Sequence, residues 1–307
     1  MFRRALGVLV AAGALLLPVT PAAATTRGAE PLARAHAHND YEHERPLLDA
    51  LDHGFTSVEA DIYLVDGELR VGHDPEDLRP GRTLQSLYLA PLARRVREGH
   101  GRVYPRSRQR LQLLVDIKNN GAATYTELDR VLRSYRTMLT AYHRGKVKPG
   151  AVTVVVSGDR PRDLMAAQRD RYAFYDGRLG DLGLGGASLI PLISDNWTNH
   201  FTWRGEGEMP QAERDRLREI VRTAHRDGQR VRFWATPDTA GPAREALWRE
   251  LVAADVDHIN TDDLAGLQQF LRVHDRDRRA AGAPEEADGA ARSVGTDGEH
   301  RQADAAA

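Results

Sequence analysis

The chain has 307 residues, with 43 Lys and Arg against 44 Asp and Glu, so its formal net charge is −1. This balance gives no overall field that would attract nucleic acid or an acidic membrane, and we expect no nucleic-acid partner. The sequence contains no cysteine, which excludes disulfides, thiolate catalysis and cysteine-bound metal. Any metal must therefore be held by oxygen or nitrogen.

The two ends of the chain differ in composition from the middle. A short basic start precedes an apolar run from Ala5 to Val19 and small residues up to Ala24. The run falls short of the roughly 20 apolar residues of a spanning helix, so we predict a secretory signal peptide at 1–24 and a secreted, extracellular protein. Residues 276–307 are rich in charge, Ala and Gly, which predicts a disordered tail.

Between these ends, at 25–275, strand-like and helix-like segments alternate. The predicted strands are 33–37, 57–64, 111–117, 151–156, 172–175, 189–193, 230–234 and 258–260. The predicted helices are 46–53, 83–97 with either a break or the start of a second segment at Pro91, 125–143, 162–168, 211–226, 242–254 and 264–273. This alternation over about 250 residues predicts an α/β fold, a single-domain (β/α)8 TIM barrel.

The first two predicted strands place imidazoles near a pair of carboxylates. His38 follows the first strand, and Glu59 and Asp61 lie on the same side of the second. The Asp66-Gly67 pair is a strong signal for a two-residue hairpin, which would bring His73 beside the two carboxylates.

Further polar residues end later strands. Asp116 and Lys118 follow the third strand, and Trp234 ends the seventh. Working groups in a barrel lie at the carboxyl ends of the strands, so Asp116 would meet Glu59 and Asp61 there. Three carboxylates form a hard oxygen site suited to Mg²⁺ or Ca²⁺, whereas a zinc site would draw more on histidine.

These residues resemble the superfamily of glycerophosphodiester phosphodiesterases and phosphatidylinositol-specific phospholipases C. Its members carry an early His, a Glu-x-Asp pair on the second barrel strand and a His-Asp soon after it. The segments HNDY, PLLDAL, SVEADIYLVDGEL and TLQSLYLAPL are most similar to the altered inheritance of mitochondria protein 6-like group. The resemblance covers residues 33–271 and implies a PI-PLC-like phosphodiesterase barrel.

The resemblance implies a role for each matching position. The implied metal ligands are Glu59, Asp61 and Asp116. The implied acid–base catalysts are His38 and His73. The implied substrate- or phosphate-binding residues are Lys118, Asn39 and Trp234.

Several features leave alternatives open. A typical glycerophosphodiesterase has His-Arg-Gly where this chain has His38 followed by Asn39-Asp40, so one phosphate-contacting arginine is missing. Arg45 or Arg160 could replace it. His36 competes with His38, and we interpret it as structural. Asp40 either binds the metal or caps the turn.

We therefore expect a secreted, metal-dependent phosphodiester hydrolase that acts on a glycerophosphodiester or a phospholipid head group. Paired carboxylates on a barrel also suit a glycoside hydrolase, and a non-catalytic barrel that binds metal or phosphate is a further alternative. We expect a monomer whose partner is a small-molecule or lipid phosphodiester, with transient contact to a membrane surface. Trp197, Phe201 and Trp203 either contact such a substrate or cover the barrel rim.

Overall fold

The computed structural model describes the backbone of residues 29–280 and the side chains of residues 29–275. The predicted signal peptide at 1–24 lies outside the described residues, and so do residues 281–307 of the tail predicted at 276–307. The first five residues of that predicted tail, 276–280, are helical and continue the last helix of the barrel. Within the described part, no helix is long and apolar enough to cross a lipid bilayer.

Strands and helices alternate along this part of the chain. The strands are β1 (Leu32–Ala37), β2 (Phe55–Val65), β3 (Glu68–Val71), β4 (Leu111–Ile117), β5 (Ala141–His143), β6 (Lys146–Lys148), β7 (Val152–Gly158), β8 (Asp170–Arg171), β9 (Ala173–Gly177), β10 (Leu192–Asn196), β11 (Arg230–Trp234) and β12 (His258–Thr261). The helices are α1 (Leu48–Asp52), α2 (Ala90–Glu98), α3 (Gly121–Arg133), α4 (Arg162–Ala167), α5 (Trp197–His200), α6 (Gln211–Arg226), α7 (Pro242–Ala253) and α8 (Leu264–Ala280). A π-helical segment, Gln85–Leu89, leads directly into α2, whose first turn contains Pro91. Of the two outcomes predicted at this proline, the start of a second helical segment is the one observed.

Eight parallel strands close into a barrel. Their order around the barrel is β1, β2, β4, β7, β9, β10, β11 and β12, and β12 pairs with β1 to complete the circle. Each connection between successive barrel strands is a crossover, as parallel pairing requires. The predicted single-domain (β/α)8 TIM barrel is confirmed.

Apolar side chains of the strands divide into two clusters. The larger cluster lies between the barrel and its helices and includes Leu113 and Val115 of β4. The smaller one contains Leu114, Val155, Phe174 and Leu192. Leu114 lies two residues before Asp116 on the same strand, so both face the same side of the sheet. The smaller cluster therefore packs inside the barrel, below the polar strand ends.

The predicted hairpin after β2 is confirmed. Strand β3 pairs antiparallel with β2, and the two turn residues Asp66 and Gly67 have φ values of 51° and 80°. Two consecutive positive φ values are the mark of a type I′ turn, whose twist matches that of the flanking strands. The backbone N–H of Gly72 then donates to the carbonyl of Asp61 at 3.2 Å, which brings the chain back to the barrel rim.

The predicted helix over 125–143 is wrong in its second half. Helix α3 ends at Arg133, and β5 pairs with β6 and β8 in a small antiparallel sheet. Arg144 and Gly145 adopt positive φ values of 47° and 86°, which reverses the chain between β5 and β6. The helix therefore ends well before this turn, and the later residues of the predicted helix form part of the small sheet instead.

Candidate active site

Three carboxylates meet at the carboxyl ends of β2 and β4. Glu59 and Asp61 lie on one side of β2, and Asp61 is directly opposite Asp116 in the β2–β4 register. One oxygen from each residue lies within 4.8 Å of one from each of the other two. Two ligands of one cation, each about 2.0–2.6 Å from it, are at most about 5 Å apart, so this cluster can hold a divalent metal ion.

Glu59 is buried between two nitrogen donors. Its Oε2 accepts a hydrogen bond from Arg232 Nη2 at 2.5 Å and from His36 Nε2 at 3.1 Å. Burial favours the neutral form, but the charge of Arg232 and the hydrogen bond from His36 outweigh burial and hold the pKa of Glu59 well below its usual value. Glu59 is therefore ionised at neutral pH.

Asp61 has the opposite electrostatic setting. Burial, together with the charges of Glu59 and Asp116, raises the pKa of Asp61 to about 7. Its Oδ2 accepts from Tyr41 Oη at 2.8 Å and pairs with Lys118 Nζ at 2.9 Å. Its Oδ1 is buried and has no hydrogen-bond partner among the described residues. A buried acceptor of this kind normally has a partner, and a cation bound between the carboxylates would be one, so the residues present fit a divalent metal.

Lys118 supplies a positive charge at the edge of this cluster. Its Nζ lies 2.9 Å from Asp61 Oδ2 and 3.4 Å from Asp116 Oδ1. Partial burial disfavours the ammonium, but the two carboxylates raise the pKa of Lys118 above its usual value. The side chain is 24% exposed, so the charged amine also reaches the solvent at the barrel mouth.

His38 lies at the end of β1 and is oriented by a carboxylate from the far end of the chain. Its Nδ1 hydrogen-bonds Asp262 Oδ1 at 2.8 Å, just past the end of β12. Burial favours the neutral imidazole, but the hydrogen bond to Asp262 and the charge of Glu59 raise the pKa of His38. A carboxylate on Nδ1 fixes the ring orientation and leaves Nε2 available for proton transfer.

His36 lies on the same strand but has a different environment. The ring is fully buried, and Nδ1 and Nε2 contact Ser57 Oγ at 2.7 Å and Glu59 Oε2 at 3.1 Å. Burial, followed by the charge of Arg232, lowers the pKa of His36 to about 3. A neutral ring with both nitrogens engaged orients Glu59, which agrees with its interpretation as a structural residue.

The structure does not bring the ring of His73 into contact with the carboxylates. This residue follows β3 at the rim, but its side chain is 52% exposed and its Nδ1 lies 3.0 Å from Asp74 Oδ2. Its proposed role in proton transfer stays a prediction. Asn39 lies closer to the site, because its Oδ1 is 2.8 Å from Tyr41 Oη and its Nδ2 donates to Asp262 at 3.4 Å. Trp234 is half-buried where β11 ends.

The structure also places Asp40, a candidate metal ligand, and Arg45 and Arg160, the candidate phosphate contacts. Asp40 accepts a hydrogen bond from the backbone N–H of Leu47 at 2.5 Å, so it holds the turn and lies outside the carboxylate cluster. Arg45 pairs with carboxylates of α1 on the surface, which leaves it unsuited to contact phosphate. Arg160 donates to the carbonyl of Gly158 at 3.0 Å, at the end of β7, and therefore lies near the barrel mouth.

Sequence reasoning missed two arginines inside the barrel. Arg232 is 3% exposed and joins Glu59 to Asn260, and Arg178 donates to the buried Asp176 at 2.7 Å. The alternation in RVRFW was a usable signal, because Arg232 lies two residues before Trp234 and so faces the same side. No comparable pattern indicates Arg178, which follows a short strand.

The aromatic loop after β10 packs against the barrel. Trp197, Phe201 and Trp203 are all buried. The rings of Trp197 and Phe201 stack with centroids 4.1 Å apart, and both meet Phe233 edge-on. The reading in which these rings cover the barrel rim is the correct one of the two, and they present no exposed surface to a substrate.

Comparison with known proteins identifies the family. Residues 24–176 match the AIM6-like phosphodiesterase domain, and residues 230–265 match the glycerophosphoryl diester phosphodiesterase family. The altered inheritance of mitochondria protein 6 homolog of Arthroderma benhamiae is 31% identical, over 80% of this chain and 86% of its own length. Altered inheritance of mitochondria protein 6 of Eremothecium gossypii is 32% identical, over 80% of this chain and 71% of its own length.

Two solved structures are also similar. A phosphatidylinositol-specific phospholipase C from Listeria monocytogenes has a TM-score of 0.43 and 8% identity, over 79% of this chain and 84% of that chain. A glycerophosphoryl diester phosphodiesterase from Parabacteroides distasonis has a TM-score of 0.45 and 13% identity, over 79% of this chain and 86% of that chain. From the matched domain, this barrel is of the phosphodiesterase type. The chain belongs to the altered inheritance of mitochondria protein 6 family.

Proposed function

We propose that this protein is a divalent-cation-dependent phosphodiester hydrolase that acts on a glycerophosphodiester or a phospholipid head group. The observation that carries the proposal is the cluster of Glu59, Asp61 and Asp116, with one oxygen each within 4.8 Å. Lys118 lies against this cluster, and His38 stands at the next strand end with its orientation set by Asp262.

The residues divide the work of phosphodiester cleavage between them. A bound Mg²⁺ or Ca²⁺ would neutralise charge on the phosphoryl oxygens. Lys118 binds a non-bridging oxygen of the phosphate as negative charge develops. His38 Nε2 exchanges a proton with the attacking hydroxyl or the leaving alcohol, and His73 is the proposed second proton carrier. If the substrate has a hydroxyl next to the phosphoester, that hydroxyl attacks first and a cyclic phosphate forms.

The geometry favours this reaction over glycoside hydrolysis. Glycosidases place two carboxyl groups on opposite sides of the scissile bond, about 5–9.5 Å apart. Here the three carboxylates gather within 4.8 Å on one side, and a lysine ammonium bridges Asp61 and Asp116. Such a cluster concentrates negative charge around one point, which suits a cation.

We also propose that the protein is exported and works as a monomer in transient contact with membrane surfaces. The apolar run and the small residues within 1–24 support export. Mass spectrometry of secreted protein that begins at Thr25 would support cleavage after Ala24. A mature chain that still carries the first 24 residues would contradict it.

The proposed activity is tested with purified protein and a panel of glycerophosphodiesters and phospholipids, with EDTA and then with added Mg²⁺ or Ca²⁺. Hydrolysis should require the cation, and Asp61→Asn should lower it at least by the 10–100-fold that loss of an outer-shell metal partner costs. The matched control is Asp52→Asn, an exposed aspartate on α1 that pairs with Arg45 and should leave the rate unchanged.

Two results would count against the proposal. Full activity in cation-free protein would show that the reaction does not depend on the metal. Tight cation binding without hydrolysis of any phosphodiester would indicate the non-catalytic barrel instead.

A further inference from the structure

In two of the three carboxylates that would bind the cation, one oxygen is already occupied by donors from the protein. Arg232 and His36 both bind Glu59 Oε2, at 2.5 Å and 3.1 Å. Tyr41 and Lys118 both bind Asp61 Oδ2, at 2.8 Å and 2.9 Å. Asp61 Oδ1 is buried and has no hydrogen-bond partner among residues 29–275, and the hydrogen bonds to the Glu59 carboxylate from Arg232 and His36 both use Oε2. Each of these carboxylates therefore has one oxygen left for a cation.

The donors that occupy these oxygens are themselves held in place. Arg232 is 3% exposed, and its Nε and Nη2 also donate to Asn260 Oδ1 at 2.9 Å and 2.6 Å. Tyr41 is 4% exposed, and its hydroxyl oxygen also lies 2.8 Å from Asn39 Oδ1. Because both donors are buried and tied to a second partner, the carboxylates cannot rotate to present both oxygens without breaking this network.

We propose that Arg232 and Tyr41 are positioning residues that restrict Glu59 and Asp61 to one ligand oxygen each, so that the site prefers Mg²⁺ to Ca²⁺. This inference rests on the cation site of the proposed function. Ca²⁺ takes 6–8 oxygens at about 2.3–2.6 Å and commonly binds a carboxylate through both oxygens. Mg²⁺ requires about six at 2.0–2.1 Å and keeps several waters. Lys118 Nζ also lies 3.4 Å from Asp116 Oδ1. With all three carboxylates binding through one oxygen and water in the other positions, the site would match Mg²⁺.

The preference is measured by calorimetric titration of chelator-treated full-length protein with Mg²⁺ and Ca²⁺ separately. The wild type should bind Mg²⁺ at least as tightly as Ca²⁺. Arg232→Met should release Glu59 Oε2 and lower the ratio Kd(Ca²⁺)/Kd(Mg²⁺) by about tenfold or more, because Glu59 can then bind Ca²⁺ with both oxygens. Loss of the guanidinium charge changes both Kd values in the same direction, so the ratio isolates the oxygen count.

Arg244→Met is the matched control. Arg244 is also a buried arginine, and it pairs with Asp263 at 2.9 Å, outside the cation ligands. Its loss should lower the melting temperature but leave the ratio of the two Kd values unchanged. A ratio that is equally unchanged in Arg232→Met would overturn the proposal, and so would a wild type that binds Ca²⁺ more tightly than Mg²⁺.

A second measurement uses the wild type alone, which keeps the proposal testable if Arg232→Met does not fold. Water-proton relaxation of bound Mn²⁺, another octahedral cation, should report about three inner-sphere waters, since three protein oxygens leave about three of six positions. A result of one inner-sphere water or none would overturn the proposal that each carboxylate binds the cation through a single oxygen.

The inference and the proposed function can fail separately. Binding of neither cation would overturn both. Preferential Mg²⁺ binding without phosphodiester hydrolysis would support the inference while contradicting the enzyme. Hydrolysis by the wild type, together with an unchanged Kd ratio in Arg232→Met, would support the enzyme and contradict the inference.

Discussion

Glu59 and Asp61 show how strongly the neighbours of a residue determine its chemistry. Both are buried carboxylates, two residues apart on the same side of β2. Arg232 lowers the pKa of Glu59, whereas burial and the charges of Glu59 and Asp116 raise the pKa of Asp61 to about 7. Neighbouring carboxylates with opposite shifts are typical of functional sites, because like charges cannot all ionise together without a counter-ion.

The two imidazoles of β1 should respond differently to substitution. His38→Ala should lower kcat by about 10² or more with little change in melting temperature, because its partly exposed ring is the proposed proton carrier. His36→Ala should mainly lower the melting temperature, because it empties a buried site and removes one hydrogen-bond partner from each of Ser57 and Glu59. Steady-state kinetics and thermal melts measure both effects. Equal losses of kcat at unchanged stability would show that His36 is the catalyst.

Asp40 predicts a pH dependence of stability that is separate from catalysis. Burial raises the pKa of Asp40 to about 7, compared with about 3.9 for an aspartate in an unfolded chain. Between these values the folded state binds more protons than the unfolded state, so the free energy of unfolding falls as pH rises. The stabilisation is complete below about pH 4 and is lost as pH rises through about 7.

Asp40→Asn removes this titration while keeping an acceptor for the Leu47 N–H. Denaturant unfolding of both proteins at pH 5 and pH 8 measures the effect. The wild type should lose stability relative to the variant at the higher pH. A constant difference between the two proteins would contradict the shifted pKa.

Among the elements, the end of β7 is as important for the site as the strands that carry the carboxylates. Gly158 has φ of 69°, and a Cβ there would lie 2.3 Å from Asp116 Oδ1 and 2.3 Å from the carbonyl oxygen of Ile117. Only glycine leaves room for the side chain of Asp116 in its present position. The geometry of the carboxylate cluster therefore depends on a residue that does not belong to it.

Gly158→Ala should displace Asp116 and weaken cation binding by about tenfold or more, the lower part of the 10–100-fold range for supporting residues. The matched control is Gly81→Ala, where φ is 80° but no atom lies within 4 Å of the added Cβ. Both variants should lose some stability through backbone strain. Titration calorimetry should show weaker Mg²⁺ binding in Gly158→Ala alone. Equal affinities in the two variants would show that Asp116 tolerates the displacement.

For the whole molecule, cation binding should be visible as global stabilisation. A ligand at 100 times its Kd stabilises the folded state by about 2.7 kcal/mol, and each kcal/mol raises the Tm of a domain of this size by about 2–4 °C. Saturating Mg²⁺ should therefore raise the Tm of chelated protein by roughly 5–10 °C, and Asp61→Asn should largely lose this shift. Differential scanning calorimetry measures both. A Tm that Mg²⁺ does not change would show that the carboxylate cluster does not bind the cation.

Local sequence patterns were sufficient to predict most of the framework. The eight barrel strands, the Asp66-Gly67 hairpin and the shared side of Glu59 and Asp61 follow from alternation and turn chemistry, which act over a few residues. The meeting of Asp116 with that pair also follows, since parallel strands present their carboxyl ends at one rim. In 125–143 the helical spacing predicted too long a helix, because α3 ends at Arg133 and the chain then forms β5, which turns at Arg144-Gly145 into β6.

Only the tertiary structure decided which groups act on these carboxylates. Arg232 and Glu59 are 173 residues apart, and His38 and Asp262 are 224 residues apart, so closure of the barrel creates both contacts. The same closure buries His36 and leaves His38 half-exposed, although the two lie on one strand. It also buries Trp197 against Phe233. Burial and ion pairing arise between distant segments, whereas periodicity and turns report only on neighbouring residues.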